Sequence, residues 1–348
     1  MTRPVVVKLG SSLVAGPGGR VRRSLLRARA GEIAALVHAG TPVTVVSSGA
    51  IALGLPRLGL AERPRSLPKL QAASALGQAR LQRVWDEALS RAGLRSAQVL
   101  LTAIDVADRA AYLNARHAFA ALFSLGAVPV VNENDVTATD EITFGDNDAL
   151  AAQVAILVRA RLLVLLTEVK GVYSRAPGTP GAELLELGSA AGAAELGDGS
   201  PLGKGGMRSK ILAAEIAASA GIPTVIAGGA TTADVLGPIV AGERRGTRFD
   251  AGASAPSAFK LWLRHGKPVA GRLHVDRGAH RALTKEGASL LAVGVSSVEG
   301  TFEPGDAVEL VAPDGGAFAK GIAAVSSADL AGRPRGVEAV HRDRLVRY

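Results

Sequence analysis

Six short, unbroken apolar runs recur through the first two thirds of this chain, and they restrict its fold more than any other feature. They are VVVKL (5 to 9), VTVVSS (43 to 48), QVLL (98 to 101), VPVVN (128 to 132), LLVLL (162 to 166) and PTVIA (223 to 227). Apolar runs of this length without polar alternation suit strands buried on both faces. The segments between them, at 24 to 39, 71 to 91, 112 to 124, 147 to 159 and 208 to 220, are rich in Ala, Leu, Arg and Gln at helical apolar spacing. Strand and helix in alternation predict an α/β unit, a mainly parallel sheet sandwiched by helices. Ligands of such sheets bind outside the carboxyl ends of the strands.

Beyond residue 250 the pattern changes. DAGASAPSA (250 to 258) is rich in small, turn-forming residues, and after it come shorter strand candidates, GRLHV, LLAVGV, AVELVA and AFAKGIAAV, punctuated by EPGD and PDGG. The expected organisation is a catalytic domain over residues 1 to 250, a linker at 251 to 256 and a small β-rich domain over 257 to 348.

Composition excludes several chemistries. The 348 residues include no cysteine, so disulfides, thiol nucleophiles and cysteine-held metals are absent, as suits a cytoplasmic location. The longest apolar run, VAILVRARLLVLL, is interrupted by Arg159 and Arg161 and is too short to span a bilayer, so no membrane association is expected. The net charge of +9 permits phosphate-bearing partners without choosing among them. Although the first 30 residues carry seven basic and no acidic side chains, a buried strand already starts by residue 5, which leaves no room for a cleaved leader.

Polar residues cluster where the strands end. KLGSS places Lys8 near a strand end, with Gly10, Ser11 and Ser12 able to aim backbone N–H groups at an anion. SSGAIALG opens a helix with Ser47, Ser48 and Gly49; VVNENDVT sets Asn132, Glu133, Asn134 and Asp135 in succession after a buried run. TFGDNDAL puts Asp146, Asn147 and Asp148 at a helix start, more polar groups than capping requires. LLTEVKGVY ends a further strand with Thr167 and Glu168. PLGKGGMRSK (201 to 210) imitates a Walker A loop, but Asp198 stands where that motif needs its first glycine and Gly205 where it needs Ser or Thr. Two lysines, backbone anion nests and Asn/Asp side chains together suit phosphoryl transfer to a small acid, a reaction that needs positive charge and N–H donors more than covalent help.

Taken together, VVVKLGSS, VVSSGAIALG, PVVNENDVTATDEITFGDNDALAA, LLTEVKGVY, GKGGMRSK and the late AVHRD resemble the glutamate 5-kinase family, in the same order and over nearly the whole chain. The resemblance implies an amino-acid-kinase fold followed by a PUA pseudo-barrel. It implies phosphorylation of the L-glutamate side-chain carboxylate by ATP, with Mg²⁺ carried by the nucleotide and no protein-held metal. Lys8, Lys210 and Asp148 would form the catalytic set, Asp148 holding the two lysines. Ser48, Asn134, Asp135, Asp146 and Asn147 would bind glutamate. Lys8, Gly10, Ser11, Thr167, Glu168, Lys204, Gly205, Gly206, Met207, Arg208, Ser209 and Lys210 would bind ATP. A homo-oligomer (dimer or tetramer) and feedback by proline are further implications.

Two departures stand out. The family usually has Asp where this chain has Glu168, and an uncharged Thr-Gly-Gly-Met loop where this chain places Lys204 and Arg208.

Rival readings are kinases of aspartate, acetylglutamate or uridylate, and an RNA-binding protein acting through the tail domain. RNA binding is not expected, because residues 257 to 348 hold 13 basic against 10 acidic side chains and few aromatics for stacking. His341-Arg342-Asp343 imitates a protein-kinase catalytic loop, but the chain ends at Tyr348 without the Asn that should follow.

Overall fold

The computed structural model describes residues 2–60, 62–102, 105–106, 108–137, 147–188, 206–252, 260, 263–264, 267–332 and 334–348. The chain divides into two compact units, Met1–Asp105 with Arg109–Ala255, and Val106–Asp108 with Pro256–Tyr348.

The first unit is built on seven strands: β1 (Val5–Leu9), β2 (Val43–Ser47), β3 (Arg95–Leu101), β4 (Ala127–Glu133), β5 (Leu162–Thr167), β6 (Thr224–Gly228) and β7 (Thr247–Phe249). They lie in the order β3-β4-β2-β1-β5-β6-β7, and every pair is parallel except β6 with β7. β1 and β2 are buried along their full length, which explains the unbroken apolar runs. The apolar side chains on one face, Val5, Val7, Leu9, Val43, Val45, Val130 and Val164, share a core with the helices.

Helices α1 (Ser11–Val14), α2 (Arg23–His38), α3 (Ala50–Gly54), α4 (Leu67–Arg91), α5 (Arg109–Ser124), α6 (Asn147–Leu157), α7 (Met207–Ser219) and α8 (Leu236–Ala241) join the strands. β1 leads by way of α2 to β2 on one side, while β5 leads by way of α7 to β6 on the other. Their carboxyl ends therefore flank the point at which the chain's path across the sheet reverses, the usual ligand position in a doubly wound fold.

Two glycines fix how α3 lies on α4. A Cβ at Gly54 would stand 1.8 Å from the Ala73 carbonyl oxygen, and one at Gly77 would stand 1.8 Å from that of Ala50, so the two backbones touch where side chains would normally separate them. Gly49, which opens α3, has φ +113°, a conformation side chains rarely adopt.

The second unit contains β8 (Val269–Val275), β9 (Leu290–Leu291), β10 (Val295–Gly300), β11 (Ala307–Val311), β12 (Ala317–Ala323) and β13 (Glu338–Arg347), in the order β9-β13-β12-β11-β8-β10 around Leu273, Phe302, Leu310 and Val340. The expected strand LLAVGV is divided by a helical turn at Ala292–Gly294. β13, the longest strand of this unit among the described residues, was not anticipated. Val340 lies opposite Ala323 but Leu345 lies opposite Gly321, so residues 341 to 344 hump out of the ladder and break the alternation. His341-Arg342-Asp343 is that hump, part of a strand rather than a catalytic loop. No helix among the described residues is long and apolar enough to cross a membrane.

Candidate active site

The polar clusters read from the sequence stand at the carboxyl ends of the parallel strands. Lys8 is the fourth residue of β1, and α1 begins two residues after that strand ends. The first-turn N–H groups of a helix have no partner within it, so Ser11 and its neighbours offer donors. Thr167 ends β5 and Ser47 ends β2, with Ser48 following it and buried. Asn132 and Glu133, both buried, end β4, and Asn134 and Asp135 follow half-buried.

Asp148 joins two of these strand and helix ends. It is the second residue of α6, is 0% exposed, and contacts both lysines: Lys8 Nζ at 2.5 Å from Oδ1 and Lys210 Nζ at 3.0 Å from Oδ2. Lys8 comes from β1 and Lys210 from the first turn of α7, and both are buried. Ser209 Oγ lies 3.1 Å from Asp148 Oδ2 and 2.9 Å from the Gly206 carbonyl oxygen, with one proton to share between these two acceptors, which ties the start of α7 to the same carboxylate. Burial alone would push the Asp148 carboxyl up, but the Lys8 and Lys210 ammoniums with their hydrogen bonds hold it well below the usual range, so it is ionised.

A second cluster was only partly foreseen. Ser74, on α4, donates to Asp135, and Gln78, one turn further on, accepts from Asn132 Nδ2 at 2.7 Å. Burial pushes the Asp135 carboxyl up, opposed by the Ser74 hydrogen bond and by the charge of Arg63. Trp85 is fully buried and donates from Nε1 to Ser47 Oγ at 2.9 Å. Its ring packs within the hydrophobic core of the first unit. Asn147 carries a buried Oδ1 with no partner in the described structure.

Other expected residues lie further out. Glu168 is exposed and pairs with Arg22 at 3.6 Å, and Arg208 is exposed on the first turn of α7 beside half-buried Met207. Gly206 is the N-cap of that helix. Asp146, Lys204 and Gly205 lie outside the described residues. Sequence reasoning missed Ser74 and Gln78. The one available signal was the run of small residues Ala73, Ser74 and Gly77 along one face of α4, a spacing that also fits plain helix packing.

A family model described as the amino acid kinase family matches residues 3–228, and one described as the PUA domain matches residues 271–342. A glutamate 5-kinase of Cupriavidus metallidurans is 44% identical over 362 residues, covering 98% of this chain and 97% of its own. One of Burkholderia multivorans is 43% identical over 364 residues, covering 99% and 98%. Among solved structures, a UMP kinase from Bacillus anthracis aligns with a TM-score of 0.50 at 17% identity, over 72% of this chain and 97% of that one. An isopentenyl phosphate kinase aligns with a TM-score of 0.51 at 22% identity, over 70% and 99%. These two likenesses bear on the fold alone.

Proposed function

The chain belongs to the amino acid kinase family and, within it, to the glutamate 5-kinases, and on that premise we propose how its residues share the reaction. The γ-phosphoryl group of ATP passes to the side-chain carboxylate of L-glutamate, giving L-glutamyl 5-phosphate and ADP, the opening step of proline biosynthesis. A bond forms between a glutamate Oε and the γ-phosphorus; the bond from that phosphorus to the β,γ-bridging oxygen breaks, and its electrons leave on ADP. The attacking carboxylate has an ordinary pKa of about 4.3 and is ionised at neutral pH, so no general base is needed. The protein's task is to place fixed positive charge and N–H donors where negative charge builds up.

The observation that carries this reading is the buried Lys8–Asp148–Lys210 cluster at the strand ends. Two ammoniums against one carboxylate leave a net positive charge held in a fixed place. In this scheme Lys8 and Lys210 contact the transferring phosphoryl group, and Asp148 holds them in place. Gly10 and Ser11 add N–H donors. Ser48, Asn134, Asp135, Asp146 and Asn147 bind glutamate. The Asn147 Oδ1, which has no partner among the described residues, is an acceptor that the substrate's ammonium would satisfy, because a buried carbonyl oxygen is costly to leave unpaired. Thr167, Glu168 and the stretch Lys204, Gly205, Gly206, Met207, Arg208, Ser209 and Lys210 bind ATP.

Mg²⁺ carried by ATP would supply charge neutralisation at the phosphates. The residues present fit a metal that arrives this way, since the central carboxylate, Asp148, is already engaged by both lysines. Residues 1 to 250 form the kinase domain, 251 to 256 the linker and 257 to 348 the PUA domain. A homo-oligomer, inhibition by proline at or near the glutamate pocket, and no use of RNA complete the reading.

A coupled assay of ADP formation with Mg²⁺ tests it. Glutamate is expected to support turnover, whereas aspartate, acetylglutamate and UMP are not. Equal turnover with any of these three would overturn the substrate assignment.

A further inference from the structure

A cavity of about 740 Å³ opens beside the segment that follows α1, a size typical of small-molecule pockets. Its lining includes Pro17, Arg20, Arg22, Arg23, Ala230 and Thr232, and none of the described lining residues is acidic. Arg20 belongs to a short stretch in which Ala15–Gly16 pairs with Arg20–Val21, Arg22 is the N-cap of α2, and Arg23 is its first residue. Ala230 and Thr232 come from the loop that leaves β6. The cavity thus lies on the carboxyl-end side of the sheet.

The charges around it are arranged one-sidedly. Arg22 is paired with Glu168 at 3.6 Å and Arg23 with Glu87 at 2.7 Å, both carboxylates lying outside the cavity lining. Arg20 is exposed and forms no ion pair with a described residue. A concave surface whose described lining carries three guanidiniums, one unpaired among the described residues and two paired with carboxylates that lie outside it, concentrates positive potential. Guanidinium forks match the oxygens of phosphate groups. Pro17, Val21, Leu25 and Ala230 supply an apolar wall, and Ser24 and Thr232 supply hydroxyls.

The loop forming that wall is held firmly. Arg29, fully buried one turn beyond Leu25, donates from Nη2 to the carbonyls of Thr231 at 3.0 Å and Ala233 at 2.6 Å. Glu32 accepts from the backbone N–H groups of Val235 and Leu236. The cavity therefore has a fixed side as well as a charged one.

We propose that this arginine-lined cavity binds the phosphate groups of a nucleotide, and that the Arg22–Glu168 pair couples it to the end of β5. The proposal deepens the kinase reading and rests on it. It also gives the unusual Glu168 a purpose: its extra methylene, relative to the Asp usual in the family, helps the carboxylate reach Arg22. Two sources share this chemistry, the ATP that reacts and a second nucleotide acting as effector.

Calorimetric titration of the full chain with ADP, at low and moderate salt, distinguishes them. In Arg20→Ala and Arg20→Ala/Arg22→Ala, ADP affinity at low salt should fall about tenfold or more, as expected for losing charge-assisted hydrogen bonds, and the deficit should shrink with salt. One ADP per chain, with a matching rise in the KM for ATP, identifies the reacting nucleotide. Two ADP per wild-type chain, falling to one in the variants with KM unchanged, identifies an effector. ADP affinity and stoichiometry unchanged in both variants overturn the proposal. Because Arg20 is exposed, the single variant should keep the wild-type melting temperature. A parallel Lys8→Ala assay separates the two levels: lost turnover there with normal ADP binding in the arginine variants sinks only the cavity, whereas normal turnover in Lys8→Ala removes the kinase mechanism beneath it.

Discussion

Asp148→Asn removes one charge and almost no volume from the centre of the site. The native carboxylate meets ammoniums at 2.5 and 3.0 Å. At an effective dielectric constant of about 20, these separations correspond to attractions of about 7 and about 6 kcal/mol before desolvation and lysine–lysine repulsion are subtracted. Breaking a buried ion pair by removing one partner costs about 3 to 5 kcal/mol. At about 2 to 4 °C per kcal/mol for a domain of this size, the apparent melting temperature should fall by about 6 to 20 °C. Two buried ammoniums left facing an amide also lose the anion that holds them in place and repel each other, which displaces the charge proposed to stabilise the transferring phosphoryl group. The expected kinetic outcome is a kcat about 100-fold lower or worse, with the KM for glutamate little changed.

Acid supplies an independent check. The folded-state pKa of Asp148 lies below its unfolded value of about 3.9, so the stability it contributes is fully present above that range and is lost as pH falls through the folded value. The melting difference between wild type and Asp148→Asn should hold constant from about pH 8 to pH 5 and narrow below pH 4. Thermal scans across pH, with steady-state kinetics at pH 7.5, test both arms. A variant that melts within about 2 °C of wild type and turns over within threefold would refute the view that this carboxylate organises the lysines.

Three further outcomes follow from particular contacts. Lys8→Ala and Lys210→Ala should each lower kcat by orders of magnitude in a folded protein, read by ADP release and circular dichroism. Gly77→Ala drives a Cβ to 1.8 Å from the Ala50 carbonyl, so α3 and α4 must separate; a lower melting temperature and a raised KM for glutamate are expected, because α4 carries the Ser74 that touches Asp135. Ser74→Ala removes a hydrogen bond that favours the ionised form of Asp135, so the carboxyl should titrate at higher pH and the acid limb of kcat/KM for glutamate should move the same way. A pH profile that superimposes on wild type would detach Asp135 from substrate binding.

The doubly wound sheet was legible because its strands are buried on both faces, a state that writes itself as an unbroken apolar run at Val5–Leu9, Val43–Ser47 and Leu162–Thr167. Lys8 and Asp148 were legible for the converse reason: ionisable residues next to such runs are too costly to keep without a partner or a purpose. The same argument failed where burial is intermittent. β13 was missed because residues 341 to 344 leave its ladder. Ser74 and Gln78 were missed because they look toward Asp135 and Asn132 from a helix whose sequence reports only how closely it packs. A pattern of one chain position against the next records the face a residue occupies, and it contains nothing about which distant residue shares that face. Asp148 shows how far that limit can be stretched. Its excess polarity at a helix start gives the need for a partner, and only the order β2-β1-β5-β6, with α6 and α7 bringing Asp148 and Lys210 to the end of β1, decides that the partners are two lysines some 200 residues apart.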